Sequence, residues 1–251
     1  MAGHSKWSNI KRRKAKMDAQ KGRIFTRLGR EITIAAREGG SDPEANFQLR
    51  LAIDKARAAN MPNENITRAI QRADGTLGGA TLEELVYEGY GPGGVAIMLE
   101  LLTDNRNRTA SEIRHIFSRH GGNLGENGCV AWMFVQKGTL VLEMDSTGAE
   151  IDEVLLDALE AGAEDVQEDE QSIEILTDPG EFAAVQKALT TKGYKFVEAK
   201  IARVPLNTVK LDRNDAGRVL ELLEELEEQD DVQEVYSNFD IPDEILAELA
   251  Q

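Results

Sequence analysis

Lys6, Lys11, Arg12, Arg13, Lys14 and Lys16 crowd around Trp7, and Lys21, Arg23, Arg27 and Arg30 continue the run. The first thirty residues therefore hold ten Lys or Arg and a single acid, Asp18. Cations at this density neutralise phosphates, and an indole among them gives a nucleobase a flat surface to stack on. The chemistry is recognition of a polyanion, not the making of bonds. A second basic pair, Arg106 and Arg108, sits in Asp104-Asn105-Arg106-Asn107-Arg108-Thr109, just ahead of a helical pattern whose free N–H groups and dipole favour anions. Two readings stay open there: another phosphate contact, or a cap formed by Asp104 or Asn107 with the arginines paired to acids.

No constellation for catalysis accompanies these cations. His115 and His120 are too far out of helical phase to bring two rings to one face, as a zinc site of the HExxH kind needs, and the remaining histidine, His4, is remote in sequence. Cys129 stands among Val130, Ala131, Trp132 and Met133, which fits a buried structural thiol and excludes a disulfide framework. Tyr87-Glu88-Gly89-Tyr90-Gly91-Pro92-Gly93-Gly94 offers backbone N–H groups to an anion, but it lacks the nucleotide-binding glycine patterns and reads equally as a tight turn. The expectation is a protein without enzyme activity, cofactor or metal.

Charge is segregated along the chain. Residues 1–75 hold 16 Lys or Arg against 8 Asp or Glu, a net of +8, while the whole chain is −16, which leaves −24 for the remainder. A potential of one sign at one end orients encounter with phosphates, and the acidic remainder discourages indiscriminate wrapping. With 251 residues and 41% hydrophobic composition there is enough apolar material for two or three small cores. The basic N-terminus has no apolar segment behind it, so the reading is a soluble, cytoplasmic protein without a membrane partner.

The elements that must position these residues follow from periodicity. Ile24, Leu28, Ile32 and Ala35 recur at helical spacing up to Gly39-Gly40, and at about 100° per residue Arg23, Arg27, Arg30 and Arg37 form a stripe roughly opposite. Ser41-Asp42-Pro43 predicts the start of a second helix with Leu49, Ala52, Ile53 and Ala56 inward. A third has Ile66, Ala69, Ile70 and Ala73 inward, with Thr76 to Ala80 as linker. Residues 1–80 read as a helical basic domain. Residues 137–204 read as strand, helix, strand, strand, helix, strand, the ferredoxin-like order. Leu85 to Tyr90 and Val95 to Thr103 read as strands joined by the Gly91 to Gly94 turn. Removing the 137–204 block leaves the same order in 81–136 plus 205–240, with strands at 95–103, 129–135, 205–211 and 232–238 and helices at 109–120 and 213–229. The fold class is α+β, a three-helix domain with a basic arm followed by two ferredoxin-like βαββαβ domains, one inserted in the other. Residues 241–251 read as a short helix.

Five motifs occur in order: Met1-Ala2-Gly3-His4-Ser5-Lys6-Trp7, Lys21-Gly22-Arg23-Ile24-Phe25, the Tyr87 to Gly94 turn, Asp104 to Thr109, and Gly121-Gly122-Asn123-Leu124-Gly125. On these residues the chain resembles the YebC family, and the likeness extends to about Asp240 through Ala158 to Asp165 and Asp231 to Tyr236. The resemblance implies a three-domain protein that is not an enzyme and is widely labelled a probable transcriptional regulator binding DNA. Relatives such as the mitochondrial translational activator of cytochrome oxidase subunit one resemble ribosome-associated factors that help elongation through proline-rich stretches. Together with the charge pattern this implies a nucleic-acid-binding regulator of gene expression. Its first reading is an RNA- and ribosome-associated translation factor, gripping with Lys6, Trp7, Lys11, Arg12, Arg13, Lys14, Lys16, Arg23, Arg27, Arg30, Arg106 and Arg108. The alternative is a DNA-binding transcriptional regulator, although no helix-turn-helix spacing marks a recognition helix. Expected partners are ribosomal RNA or DNA, with ribosomal proteins beside them. The acid-rich insertion is expected to face away from RNA or to meet a basic protein.

Overall fold

The structure, a computed structural model, describes residues 21–73, 82–143, 151–169 and 172–242, together with Glu244, Ile245 and Glu248. In chain order the elements are α1 (Lys21–Gly39), α2 (Phe47–Ala58), α3 (Asn63–Ala73), β1 (Glu83–Tyr90), β2 (Ala96–Thr103), α4 (Arg106–Arg119), β3 (Asn123–Leu124), β4 (Phe134–Glu143), α5 (Ile151–Ala161), β5 (Asp165–Asp169), β6 (Ser172–Thr177), α6 (Phe182–Thr191), β7 (Glu198–Pro205), β8 (Val209–Lys210), α7 (Arg213–Glu228), β9 (Val232–Ser237) and β10 (Phe239–Asp240). The chain is α+β, with a helical N-terminal region and antiparallel four-stranded sheets. The described residues form two compact units, one of 21–131 with 211–237 and the residues past 240, the other of 132–210 with 238–240. The expected linker at 76–80 and most of the expected C-terminal helix lie outside the described residues; Glu244, Ile245 and Glu248 are helical.

In the first unit, α1, α2 and α3 close a core on the predicted apolar sets. Leu28, Ile32, Leu49, Ala52, Ile53, Ala56, Ile66 and Ala69 are buried, and Ile70 and Ala73 pack against them. The second helix starts later than Ser41-Asp42-Pro43 suggested, because those residues make a turn in which the Ala45 and Asn46 amides donate to the Asp42 carbonyl. Asn46 is the cap. Its Oδ1 accepts from the Leu49 amide at 3.1 Å, while its Nδ2 donates to the carbonyls of Ala35 and Gly40 at 2.7 and 2.8 Å, so one side chain ends α1 and begins α2.

The first unit's sheet runs β3-β1-β2-β9, all antiparallel. The strands expected at 129–135 and 205–211 are not part of it. The place expected for 129–135 goes to β3 and that for 205–211 to β1, which pairs with both β3 and β2, so a ferredoxin-like spatial order is reached by a different connection. Glu88 supplies the physical reason at 129–135. This β1 carboxylate is 5% exposed and accepts from the amides of Gly128, Val130 and Ala131 at 2.7, 2.8 and 2.8 Å, which removes those donors from any ladder. The Cys129 thiol beside it is half-buried, its pKa pushed up by burial and by the Glu88 charge. Glu88→Gln is expected to cost about 2–3 kcal/mol, since a charge-assisted acceptor becomes an amide that turns N–H groups toward N–H groups. The check is hydrogen exchange at Gly128, Val130 and Ala131, which should accelerate ahead of global unfolding; unchanged exchange there refutes the role.

The second unit builds the βαββαβ order expected for the insertion, with its sheet arranged β5-β6-β4-β7. A Cβ at Gly138 of β4 would lie 2.5 Å from the Phe182 ring, so glycine lets α6 approach the sheet closely. The strand expected across 205–211 is cut short instead. Pro205 ends β7, and after a bend Val209 and Lys210 pair in parallel with Phe239 and Asp240.

Candidate nucleic-acid interface

Of the predicted phosphate contacts, Lys6, Trp7, Lys11, Arg12, Arg13, Lys14 and Lys16 lie outside the described residues, as does the side chain of Arg23 in the first turn of α1. Arg37 is exposed near the other end of that helix. Between them Arg27 and Arg30 point into the protein's own α/β part. Arg27 donates to the Gln233 carbonyl on β9, at a point where the register between β2 and β9 shifts. A bulge in an edge strand leaves a carbonyl without a ladder partner, and here the guanidinium covers it. Lys55 on α2 adds ion pairs to Glu31 and Glu234 at 3.2 and 3.1 Å.

Arg30 ends on Asp231, an acid the sequence reading did not single out for any role. Asp231 is 2% exposed. Its Oδ1 accepts from Arg30 Nη1 at 2.9 Å, and its Oδ2 accepts from Thr109 Oγ1 at 2.7 Å, Arg108 Nη2 at 2.8 Å and Thr103 Oγ1 at 3.1 Å. Burial pushes this carboxyl up, but the hydrogen bonds from Arg108, Thr109 and Arg30, with the Arg30 charge, outweigh it and hold the pKa below its ordinary value. The same contacts explain Arg108, whose pKa is raised chiefly by its hydrogen bond to Asp231. A four-donor corner joins α1, β2 and α4 to the start of β9.

Arg106 and Arg108, in the first turn of α4, therefore pair with acids as in the second of the two readings, with a different cap. Asn105, neither Asp104 nor Asn107, accepts from the Arg108 amide at 3.1 Å and starts the helix at Arg106, three residues before the expected start at Thr109. Thr109 is spent on Asp231 instead. Arg108 also pairs with Asp104 at 3.0 Å, and Arg106 lies 3.7 Å from Glu83. The open groove beside this corner, about 560 Å³, is lined by Arg30 and Arg108 but also by Asp104, Glu112, Glu225, Glu228, Asp230 and Asp231. Six carboxylates against two guanidiniums repel a phosphate.

The glycine-rich turn is likewise closed on itself. The Gly91 amide donates to Val95 and the Gly94 amide to Gly91, and the Asp215 carboxylate lies 3.3 Å from where a Gly93 Cβ would stand. Gly93 has φ +68, which explains the glycine without an anion.

A smaller groove of about 250 Å³ has the opposite character. Phe25, Thr26 and Gly29 of α1 face Asn65, Arg68 and Arg72 of α3 across it, with Met61 and Ala69 at its base. Arg68 and Arg72 are one turn apart and exposed, and Arg68 pairs with Glu64. Their one-turn spacing on a single helix face is the signal in the sequence that finds them. Among the described residues, no group of three or more His, Cys, Asp or Glu side chains is placed to hold a metal ion, and no helix is long and apolar enough to cross a membrane.

Fold and surface together define an α+β protein with a basic helical N-terminal region and acidic α/β parts, one inserted in the chain of the other. The chain belongs to the TACO1/YebC family: profiles described as the TACO1/YebC protein N-terminal domain and the TACO1/YebC second and third domain match residues 5–76 and 82–239. It is 57% identical over 250 residues, covering all of both chains, to a protein of Dictyoglomus turgidum named a probable transcriptional regulatory protein. A relative in Moorella thermoacetica with the same name is 59% identical over 251 residues, covering 99% of each chain. The crystal structure of a conserved hypothetical protein from Aquifex aeolicus superposes with a TM-score of 0.86 at 49% identity, over 92% of this chain and 95% of that one.

Proposed function

We propose that this protein is a nucleic-acid-binding regulator of gene expression that acts without catalysis, and that its working partner is structured RNA on the ribosome. The observation that carries the reading is the separation of charge, +8 in residues 1–75 against −24 beyond them. Grip is assigned to Lys6, Trp7, Lys11, Arg12, Arg13, Lys14, Lys16 and Arg23, extended by Arg68 and Arg72 along their groove, with Arg106 at the margin. Arg27, Arg30 and Arg108 serve as internal anchors, because a phosphate would have to displace Asp231 or a backbone carbonyl to reach them. The resemblance to translational activators supports the ribosome, and through it a role in elongation across proline-rich stretches. The names of the relatives favour a second reading, regulation of transcription by binding duplex DNA. Cosedimentation with ribosomes set against binding to a panel of promoter duplexes separates the two. Retention on ribosomes with only weak, sequence-indifferent duplex binding is the expected result. Tight, sequence-selective duplex binding without ribosome association reverses the order.

A further inference from the structure

Helix α5 of the inserted unit carries more apolar surface than its own sheet covers. Val154 and Ala158 are fully buried, yet Leu156 is 60% exposed, Leu159 49% and Leu155 37%. Asp157 fixes the orientation of the helix, since it accepts from Lys192 Nζ at 2.6 Å and from Tyr194 Oη at 2.8 Å just beyond α6. Helical geometry then sets the three leucines on the side away from α6, as one stripe. Exposed Asp152, Glu153 and Glu160 border it. Between Lys137 and Lys187 the chain has fifteen Asp or Glu and no Lys or Arg.

An apolar stripe of this kind marks an interaction site, and its rim selects the occupant. Phosphates of a nucleic acid and anionic lipid headgroups are repelled. A second copy of the same helix would set acid against acid. We infer that the leucine face of α5 docks a basic amphipathic helix of another protein, whose apolar side chains cover Leu155, Leu156 and Leu159 while its Lys or Arg residues meet Asp152, Glu153 and Glu160. The arrangement is a helix laid on an apolar seam with charges flanking it, the same division of labour that coiled coils use to choose partners. This site is independent of the basic head and of which polyanion the head meets.

The test uses the full-length protein and two synthetic peptides of identical Leu and Lys composition. One is patterned as an amphipathic helix and the other scrambled, so that net charge is the same in both. Fluorescence anisotropy is expected to show the patterned peptide binding at least tenfold tighter. The double variant Leu156→Gln, Leu159→Gln should erase that preference while leaving the thermal transition nearly in place, because about half or more of each residue already faces water. Equal binding of the two peptides, or a preference that survives in the double variant, overturns the proposal. So does sedimentation showing a dimer of this chain that the same two substitutions dissolve.

Discussion

Asp231→Asn is expected to lower the stability of the unit that contains it by about 3 kcal/mol, the lower end of what breaking a buried ion pair costs. The lower end applies because Arg108 is 43% exposed and returns to water, whereas the Thr103 and Thr109 hydroxyls are buried and cannot. A loss of this size corresponds to roughly 6–12 °C in a thermal melt. The effect has a defined pH dependence. Because the folded carboxyl titrates below its ordinary value of 3.8, its contribution is complete at pH values above that figure and disappears as pH falls through the lower, folded value. The gap between wild type and variant should therefore be constant from about pH 5 to 8 and close on the acid side. A gap that does not narrow at all as pH falls below 3.8, or a variant as stable as wild type at pH 7, rules out the corner as the element joining the helices to the sheet.

Lys11, Arg12, Arg13 and Lys14 changed together to Ala should weaken binding to single-stranded RNA by about 200-fold at 0.15 M salt. Each phosphate contact on a single strand contributes about 0.7 to the slope of log affinity against log salt, so four contacts remove about 2.8 from it and roughly 2.3 decades of affinity at that concentration. If the arm engages about five phosphates, the wild-type slope is near −3.5 and the variant's near −0.7. Salt titration of both proteins against one oligonucleotide decides the matter. An unchanged slope would show that the arm does not carry the grip, and attention would pass to Arg68 and Arg72.

Local periodicity carried much of the fold. The three buried stripes of α1 to α3 and the strand–helix order of the insertion are written at spacings of 3.6 and 2 residues, which a single sequence displays. Two things lay beyond it. The β1–β2 hairpin is legible as two strands joined by the Gly91 to Gly94 turn, but β1 also pairs with β3, Gly89 with Leu124, across the whole of α4, which no local window contains. Glu88 and Asp231 are single acids among 45, and their significance rests on amides and arginines brought in from distant segments. The arginine stripe shows why the site itself was harder to read than the fold. A charged face opposite an apolar one normally meets water, but in α1 its middle meets β9, and only a tertiary partner distinguishes the two.

The Asp231 corner also imposes an order on synthesis. Arg30 lies 201 positions before its partner, and Arg108 lies 123 before it. A ribosome making this chain from its N-terminus must complete the entire insertion, residues 132–210, before residue 231 is polymerised. The apolar side of α1 can pack against α2 and α3 as soon as those three helices have emerged, since every contact it needs is nearby in sequence. Its arginine side cannot. Until residues 231–233 have been made and have left the ribosome, the nascent protein displays Arg27 and Arg30 without the partners that cover them in the folded chain.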